Sequence, residues 1–225
     1  MITHDCGCVN EVHEPSGILH SVSKCAFHLG YARDPATLDE AYYTELAQLD
    51  GSGEFLNSAH LAELLEALGP LPVPNGSDAA LEIGCGVSPY VAAIEEAGWF
   101  YWGIDSSPWA AGWTGDHWNV LTRAWSFEQL PRDYRFGLVL CCHALEHMID
   151  APAALEKMAE VLVPGGHLWL LVPDDSDPVN PDHWWHFTEA TLRAGVEKTG
   201  LTVDRLVSRS IVPRENFLYM RARKA

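Results

Sequence analysis

Residues 81–88 read Leu-Glu-Ile-Gly-Cys-Gly-Val-Ser, and their setting constrains the fold more than any other stretch of the chain. A short apolar strand, 79–84, runs into them. A helix over 88–98 is expected to leave them, with Ser88 as N-cap and Pro89 at its first position. Gly84 and Gly86 allow a tight turn and a close approach of backbone to ligand, and the following helix N-terminus favours negative groups. The string is not a dinucleotide fingerprint, because Val87-Ser88-Pro89 follows Gly86. It also lacks the Gly-Lys-Ser/Thr of a phosphate loop.

Beyond this turn the chain alternates. Strands are expected at 99–105, 136–142, 167–173, 201–211 and 215–224, with an antiparallel direction open for the last. The run 136–142, Phe-Gly-Leu-Val-Leu-Cys-Cys, is apolar throughout, as in a strand buried on both faces. Helices are expected at 150–166, N-capped by Asp150 and stopped at Pro164-Gly165-Gly166, and at 188–200, N-capped by Thr188. Upstream, Leu61, Leu64, Leu65 and Leu68 form one helical stripe closed by Gly69 and Pro70, and 69–78 reads as a linker. This alternation predicts an α/β chain with a doubly wound sheet. Residues 36–225 form the main domain, and 1–35 form a separate Cys/His-rich extension.

The formal net charge of −17 speaks against broad nucleic-acid binding, which needs a basic stripe. The C-terminal Met-Arg-Ala-Arg-Lys-Ala is a basic patch that reads as a solvated tail. No apolar run is long enough to span a bilayer, and the first residues show no basic-then-apolar leader. A cytoplasmic protein with reduced cysteines is the expectation.

Glu82, two residues before Gly84, is placed to receive an ammonium group. Asp105 ends the next strand, where a carboxylate can bind both hydroxyls of a ribose. The site therefore fits a nucleoside that carries a cationic amine and no pyrophosphate. S-adenosylmethionine has those parts.

Four segments in order, LEIGCG, GIDSS, FGLVLCCHALEH and AEVLVPGGHLWLLVP, resemble the class I S-adenosylmethionine-dependent methyltransferases, in the style of the small-molecule and ubiquinone-pathway-like group. The resemblance covers about residues 40–225. It implies a Rossmann-like, mostly parallel seven-stranded sheet with S-adenosylmethionine held by Glu82, Gly84, Cys85, Gly86 and Asp105. By alignment Ser106, Ser126 and the backbone of Phe127 fall beside the adenine, with Ser126 where the family often has an aspartate. Cys142 and His143 end the fourth strand beside the cofactor's reactive end. Gly137 stands where the family commonly has an aspartate. The motifs of amino-methylating and cytosine-carbon DNA enzymes are absent from Cys142-His143-Ala144-Leu145. The expected acceptor is a small molecule or exposed small group, with nucleic acid disfavoured by the charge and no membrane.

His143, Glu146 and His147 also spell the H-x-x-E-H of a zinc peptidase. That chemistry needs both histidines on one face of a sustained helix, and the break at Asp150 and Pro152 leaves no room for one. In ubiquinone-pathway-like members a similar cluster is implicated in binding a divalent cation; here His143 replaces an acidic residue of that pattern. The plain alternative is that Glu146 and His147 bond loop backbone.

Proton acceptors for the reaction are expected in 173–191, where Asp174, His183, Trp184, Trp185 and His186 leave a strand's carboxyl end. His183, His186 and His143 are the candidate catalytic histidines, and the tryptophans are either a wall of the acceptor site or packing. Tyr42 and Tyr43 are weaker candidates in a region that lids the cofactor in the family. In the extension, Cys6, Cys8, Cys25 and His28 make a Cys₃His set suited to a structural zinc ion, with His4, His13 and His20 as rival ligands; zinc would let so apolar-poor a segment fold and dock a protein partner, and the plain alternative is a loose, reduced arm. The competing function is therefore a methyltransferase-like scaffold that uses this arm without catalysis.

Overall fold

The computed structural model describes residues 55–174, 183–212 and 215–225, together with two short strands, β1 (Leu19–Val22) and β2 (Leu29–Ala32). The main elements are α1 (Phe55–Leu68), β3 (Ala79–Ile83), α2 (Val91–Glu96), β4 (Phe100–Asp105), α3 (Pro108–Trp118) and β5 (Leu121–Ala124). After them come β6 (Phe136–Cys142), α4 (Ala151–Val161), β7 (Leu162–Pro173), β8 (Trp185–His186), α5 (Glu189–Lys198), β9 (Leu201–Val212) and β10 (Glu215–Lys224).

Seven strands pair in the order β5-β4-β3-β6-β7-β10-β9. The pairs from β5 to β7 are parallel, and β10 runs antiparallel to both β7 and β9. This is the doubly wound, Rossmann-like sheet expected from the sequence, with the final strand reversed. The strand order turns back between β3 and β6, so a crevice opens at their carboxyl ends.

β6 explains why the sheet sits at the centre: all seven of its residues are buried. Val139 and Cys141 face a layer that holds Leu155 and Met158 of α4 and Leu192 and Val196 of α5. Leu138, Leu140 and Cys142 face the other layer, with Leu64 and Leu68 of α1 and Val91 and Ile94 of α2. Each such leucine contributes about 1.5–3 kcal/mol through burial. The expected stripe on α1 is the face it buries. Among the described residues, no helix is long and apolar enough to cross a membrane.

Three local expectations change. The helix expected over 88–98 begins at Val91 with Tyr90 as its cap, and Ser88 Oγ, while donating to Glu82, accepts from Tyr90 N at 3.1 Å one turn earlier. The helix expected over 150–166 ends at Val161, and Pro164-Gly165-Gly166 lies inside β7, whose Leu162 pairs with Phe136 of β6. The third change is an addition: α3 and β5 lie between the strands expected at 99–105 and 136–142. Asp150 and Thr188 cap α4 and α5 as expected, accepting from Ala153 N at 2.9 Å and Thr191 N at 3.2 Å.

A second, three-stranded sheet joins β1, β2 and β8, with Leu29 opposite His186 and Gly30 opposite Trp185. It ties the N-terminal region to the segment after β7. Cys6, Cys8, Cys25 and His28, and also Tyr42 and Tyr43, lie outside the described residues.

Candidate functional site

The glycine turn leaves β3 at the crevice. Gly84 and Gly86 adopt φ of 70° and 49°. A Cβ at Gly84 would stand 2.6 Å from the Cβ of Ala144, so the turn and the segment after β6 meet here. Asp105, 4% exposed at the end of β4, braces the turn: Oδ2 accepts from Gly86 N at 2.9 Å and Oδ1 from Ser107 N at 2.8 Å. Burial pushes its carboxyl up, and those two N–H groups pull it back. Thr114, buried on α3, completes the brace. Its hydroxyl donates to Gly86 O at 2.6 Å and accepts from Ser88 N at 3.2 Å. Sequence reasoning missed Thr114, which has no signal outside the helix that carries it.

Glu82 lies beneath the turn, 2% exposed. Its Oε2 accepts from Ser88 Oγ at 2.6 Å and from Tyr101 OH at 2.5 Å. Burial raises its pKa to about 8, against the pull of those two hydroxyls, and the nearby Asp105 adds to the rise. The folded chain therefore keeps this proton up to about pH 8, whereas the unfolded chain releases it near 4.5. The stability Glu82 contributes is whole below pH 4.5 and drains away as pH rises to about 8. Glu82→Gln mimics the protonated form and removes that slope. Urea unfolding from pH 5 to 8 should show the variant gaining steadily on the wild type; parallel curves would contradict the shift.

Asp105 pairs with Ala124 across β4 and β5, two residues before the turn that begins at Ser126. Ser106 is exposed. Ser126 N donates to Gln129 Oε1 at 2.8 Å. Phe127 is buried, its carbonyl accepts from Lys157 Nζ at 2.6 Å, and the same Nζ sits 4.9 Å from its ring. Lys157 thus fixes the floor of this corner.

On the other side of Gly84 the histidines converge. His143 follows β6 with φ of 52°, and its N donates to Leu171 O at 2.8 Å. A left-handed conformation is costly for a side chain of this size and marks a position that its surroundings dictate. Only a short turn, Leu145–His147, comes next, so the helix required by the peptidase reading does not exist. His143 Nδ1 stands 3.7 Å from Glu146 Oε1. Burial alone would raise the Glu146 carboxyl. The His143 contact and the charges of His147, His143 and His183 outweigh it and hold the carboxyl below its ordinary value. The carboxylate therefore faces histidines rather than loop backbone. The His147 and His183 rings lie 4.9 Å apart, and those of His183 and His186 lie 6.1 Å apart.

Backbone and core contacts fix this arrangement. Trp184 N donates to Glu146 O at 2.8 Å, and Trp185 Nε1 donates to Met148 O at 2.7 Å. Trp185 and Phe187 are buried in the core, so Trp185 is packing rather than a wall of the site. Asp174 Oδ2 accepts from Ser208 Oγ at 2.8 Å, which commits it to the β9 side. Cys85, Cys141 and Cys142 are buried, and burial raises all three thiols, so none is poised as a nucleophile.

A family model described as a methyltransferase domain matches residues 53–206. No curated protein matches the chain in sequence. Among solved structures, the chain is similar to magnesium protoporphyrin IX methyltransferase from Synechocystis PCC 6803 with bound S-adenosylhomocysteine. That likeness has a TM-score of 0.66 and 17% identity, over 84% of this chain and 96% of the other. Geranyl diphosphate C-methyltransferase from Streptomyces coelicolor A3(2), solved with Mg²⁺, geranyl diphosphate and S-adenosylhomocysteine, matches at TM-score 0.60 and 15% identity, over 83% and 85% of the two chains. A Haloferax volcanii protein solved with the Trm112 methyltransferase activator matches at TM-score 0.61 and 20% identity, over 80% and 96%.

Proposed function

Because the chain belongs to the S-adenosylmethionine-dependent methyltransferase family, we propose that it carries the cofactor's methyl group to a small molecule held over the carboxyl ends of β6 and β7. The observation that carries this reading is the meeting of the glycine turn with Ala144, which sets the histidine cluster directly beside the cofactor crevice.

On the cofactor side, Asp105 takes the ribose hydroxyls, and Gly84, Cys85 and Gly86 shape the turn around the nucleoside. Glu82 offers its Oε1 to the ammonium group, whose arrival displaces the proton the buried carboxyl otherwise holds, since Oε2 is engaged by Ser88 and Tyr101. Ser106, Ser126 and the N–H of Phe127 border the adenine, and Cys142 and His143 stand nearest the sulfonium. On the acceptor side, a lone pair of the acceptor forms the new bond to the methyl carbon. The carbon–sulfur bond breaks, and its electrons leave the sulfonium as a neutral thioether. If the acceptor is a hydroxyl or protonated amine, its proton passes to a ring nitrogen of His143, His183 or His186. The rest of the acceleration comes from alignment and exclusion of water.

Methyl-labelled cofactor incubated with the purified chain and a cell extract tests the acceptor class. Label in the small-molecule fraction supports the reading, whereas label confined to precipitated protein or nucleic acid refutes it. With an acceptor in hand, His143→Ala, His183→Ala and His186→Ala follow. At least one should lower kcat by about 10²-fold with S-adenosylhomocysteine affinity unchanged. Three unaltered rates would place the base elsewhere.

A further inference from the structure

Two segments that are far apart in sequence build one polar cluster. One carboxylate oxygen of Glu146 and one ring nitrogen each from His147 and His183 all lie within 4.8 Å of one another. Glu146 is 1% exposed, and its Oε2 has no hydrogen-bond partner among the described residues. A buried carboxylate oxygen without a donor is rare in folded proteins and calls for a ligand. Two neighbouring peptide N–H groups are committed elsewhere, Trp184 N to Glu146 O and His147 N to Ala144 O.

We propose that Glu146, His147 and His183 form a mononuclear site for a divalent transition metal of zinc's class. The inference rests on the methyltransferase reading for its function, and on its own geometry for its existence. Two imidazoles and one carboxylate suit zinc and its neighbours, while magnesium and calcium favour all-oxygen shells. His183, brought in from the segment after β7, makes the donor set nitrogen-rich. His143, 3.7 Å from Glu146 Oε1, is placed to orient the carboxylate as an outer partner. Trp184 and Trp185 hold His183 in range by fastening its segment to Glu146 and Met148. Three protein ligands leave a coordination position open toward the acceptor. A metal bound there supplies Lewis acidity to an acceptor oxygen, which makes hydroxyl- or carboxylate-bearing small molecules the preferred class. With His183 engaged as a ligand, His186 remains as the nearby nitrogen base.

Co²⁺ is the probe, because the cysteines of the N-terminal extension can also take metal and thiolate ligation adds charge-transfer absorption that nitrogen and oxygen ligands lack. In the full chain carrying Cys6→Ser and Cys8→Ser, Co²⁺ should give ligand-field absorption without the thiolate band and saturate at one equivalent. Zn²⁺ should displace it, and millimolar Mg²⁺ should not. His183→Ala should weaken Co²⁺ by about tenfold or more, and His186→Ala by no more than about twofold. If the cysteine variant fails to fold, the wild-type chain serves, and the ligand-field component lost on His183→Ala is read instead. Displacement by Mg²⁺, or a His183→Ala titration equal to that of its parent, overturns the proposal. S-adenosylhomocysteine binding is measured on the same samples. Cofactor binding without a Co²⁺ site removes the metal proposal alone. A folded chain that binds no cofactor removes the functional reading instead.

Discussion

Asp105→Ala should lower the affinity for S-adenosylhomocysteine by roughly 10²–10³-fold, equivalent to about 3–4 kcal/mol. Two losses combine. The variant loses the carboxylate that meets the ribose hydroxyls, and hydrogen bonds to a charged acceptor are worth about 1.5–3 kcal/mol each. It also frees the N–H groups of Gly86 and Ser107, now held at 2.9 and 2.8 Å, so the turn loses the strut that fixes its shape before the cofactor arrives. Thr114 still holds Gly86 O, which keeps the turn folded, so the effect should appear in affinity far more than in stability. Calorimetric titration of both proteins checks this. An affinity within about threefold of wild type would remove Asp105 from the ribose role.

Gly137→Asp, which installs the residue common in the family, should destabilise this protein by about 4 kcal/mol or more. A Cβ at position 137 would lie 2.5 Å from Ser77 O and 2.6 Å from Cζ3 of Trp99. The indole cannot swing away, because Trp99 is 4% exposed and its Nε1 donates to Pro72 O at 2.6 Å. Overpacking alone costs about 1–3 kcal/mol, and the buried carboxylate would face a carbonyl oxygen instead of a donor. A urea midpoint close to that of wild type would show that the strand edge yields more than its contacts imply.

The order of strands and helices was legible because the central strands are uniform. β6 and β7 carry long apolar runs, and the glycine turn sits between a strand and a helix where periodicity changes. α3 and β5 were not legible. α3 is built from Ala, Gly, Trp and Thr without a leucine stripe, and β5 is an edge strand with no buried residue, so neither shows the expected period. Helix ends failed where tertiary partners outbid local signals. Ser88 accepts from Tyr90 N as a cap would and also donates to Glu82 across the turn, yet the regular helix starts only at Val91. Within the site, Gly84, Gly86 and Asp105 could be placed by spacing alone. The bracing of Gly86 by Thr114 and of Glu82 by Tyr101 depends on how α3 and β4 fold over the turn. The histidines were visible as two separate strings, HALEHM and HWWHFT. Their union depends on Trp184 and Trp185 bonding to Glu146, Met148 and Ile149, which no spacing reveals.

The central claim is that the crevice between β3 and β6 holds S-adenosylmethionine, and calorimetric titration of the full chain with S-adenosylhomocysteine tests it most directly. The account predicts saturable binding of one equivalent that is lost in Gly86→Arg, whose side chain fills the turn. A folded wild-type sample that gives no binding heat and no thermal stabilisation at saturating ligand would contradict it.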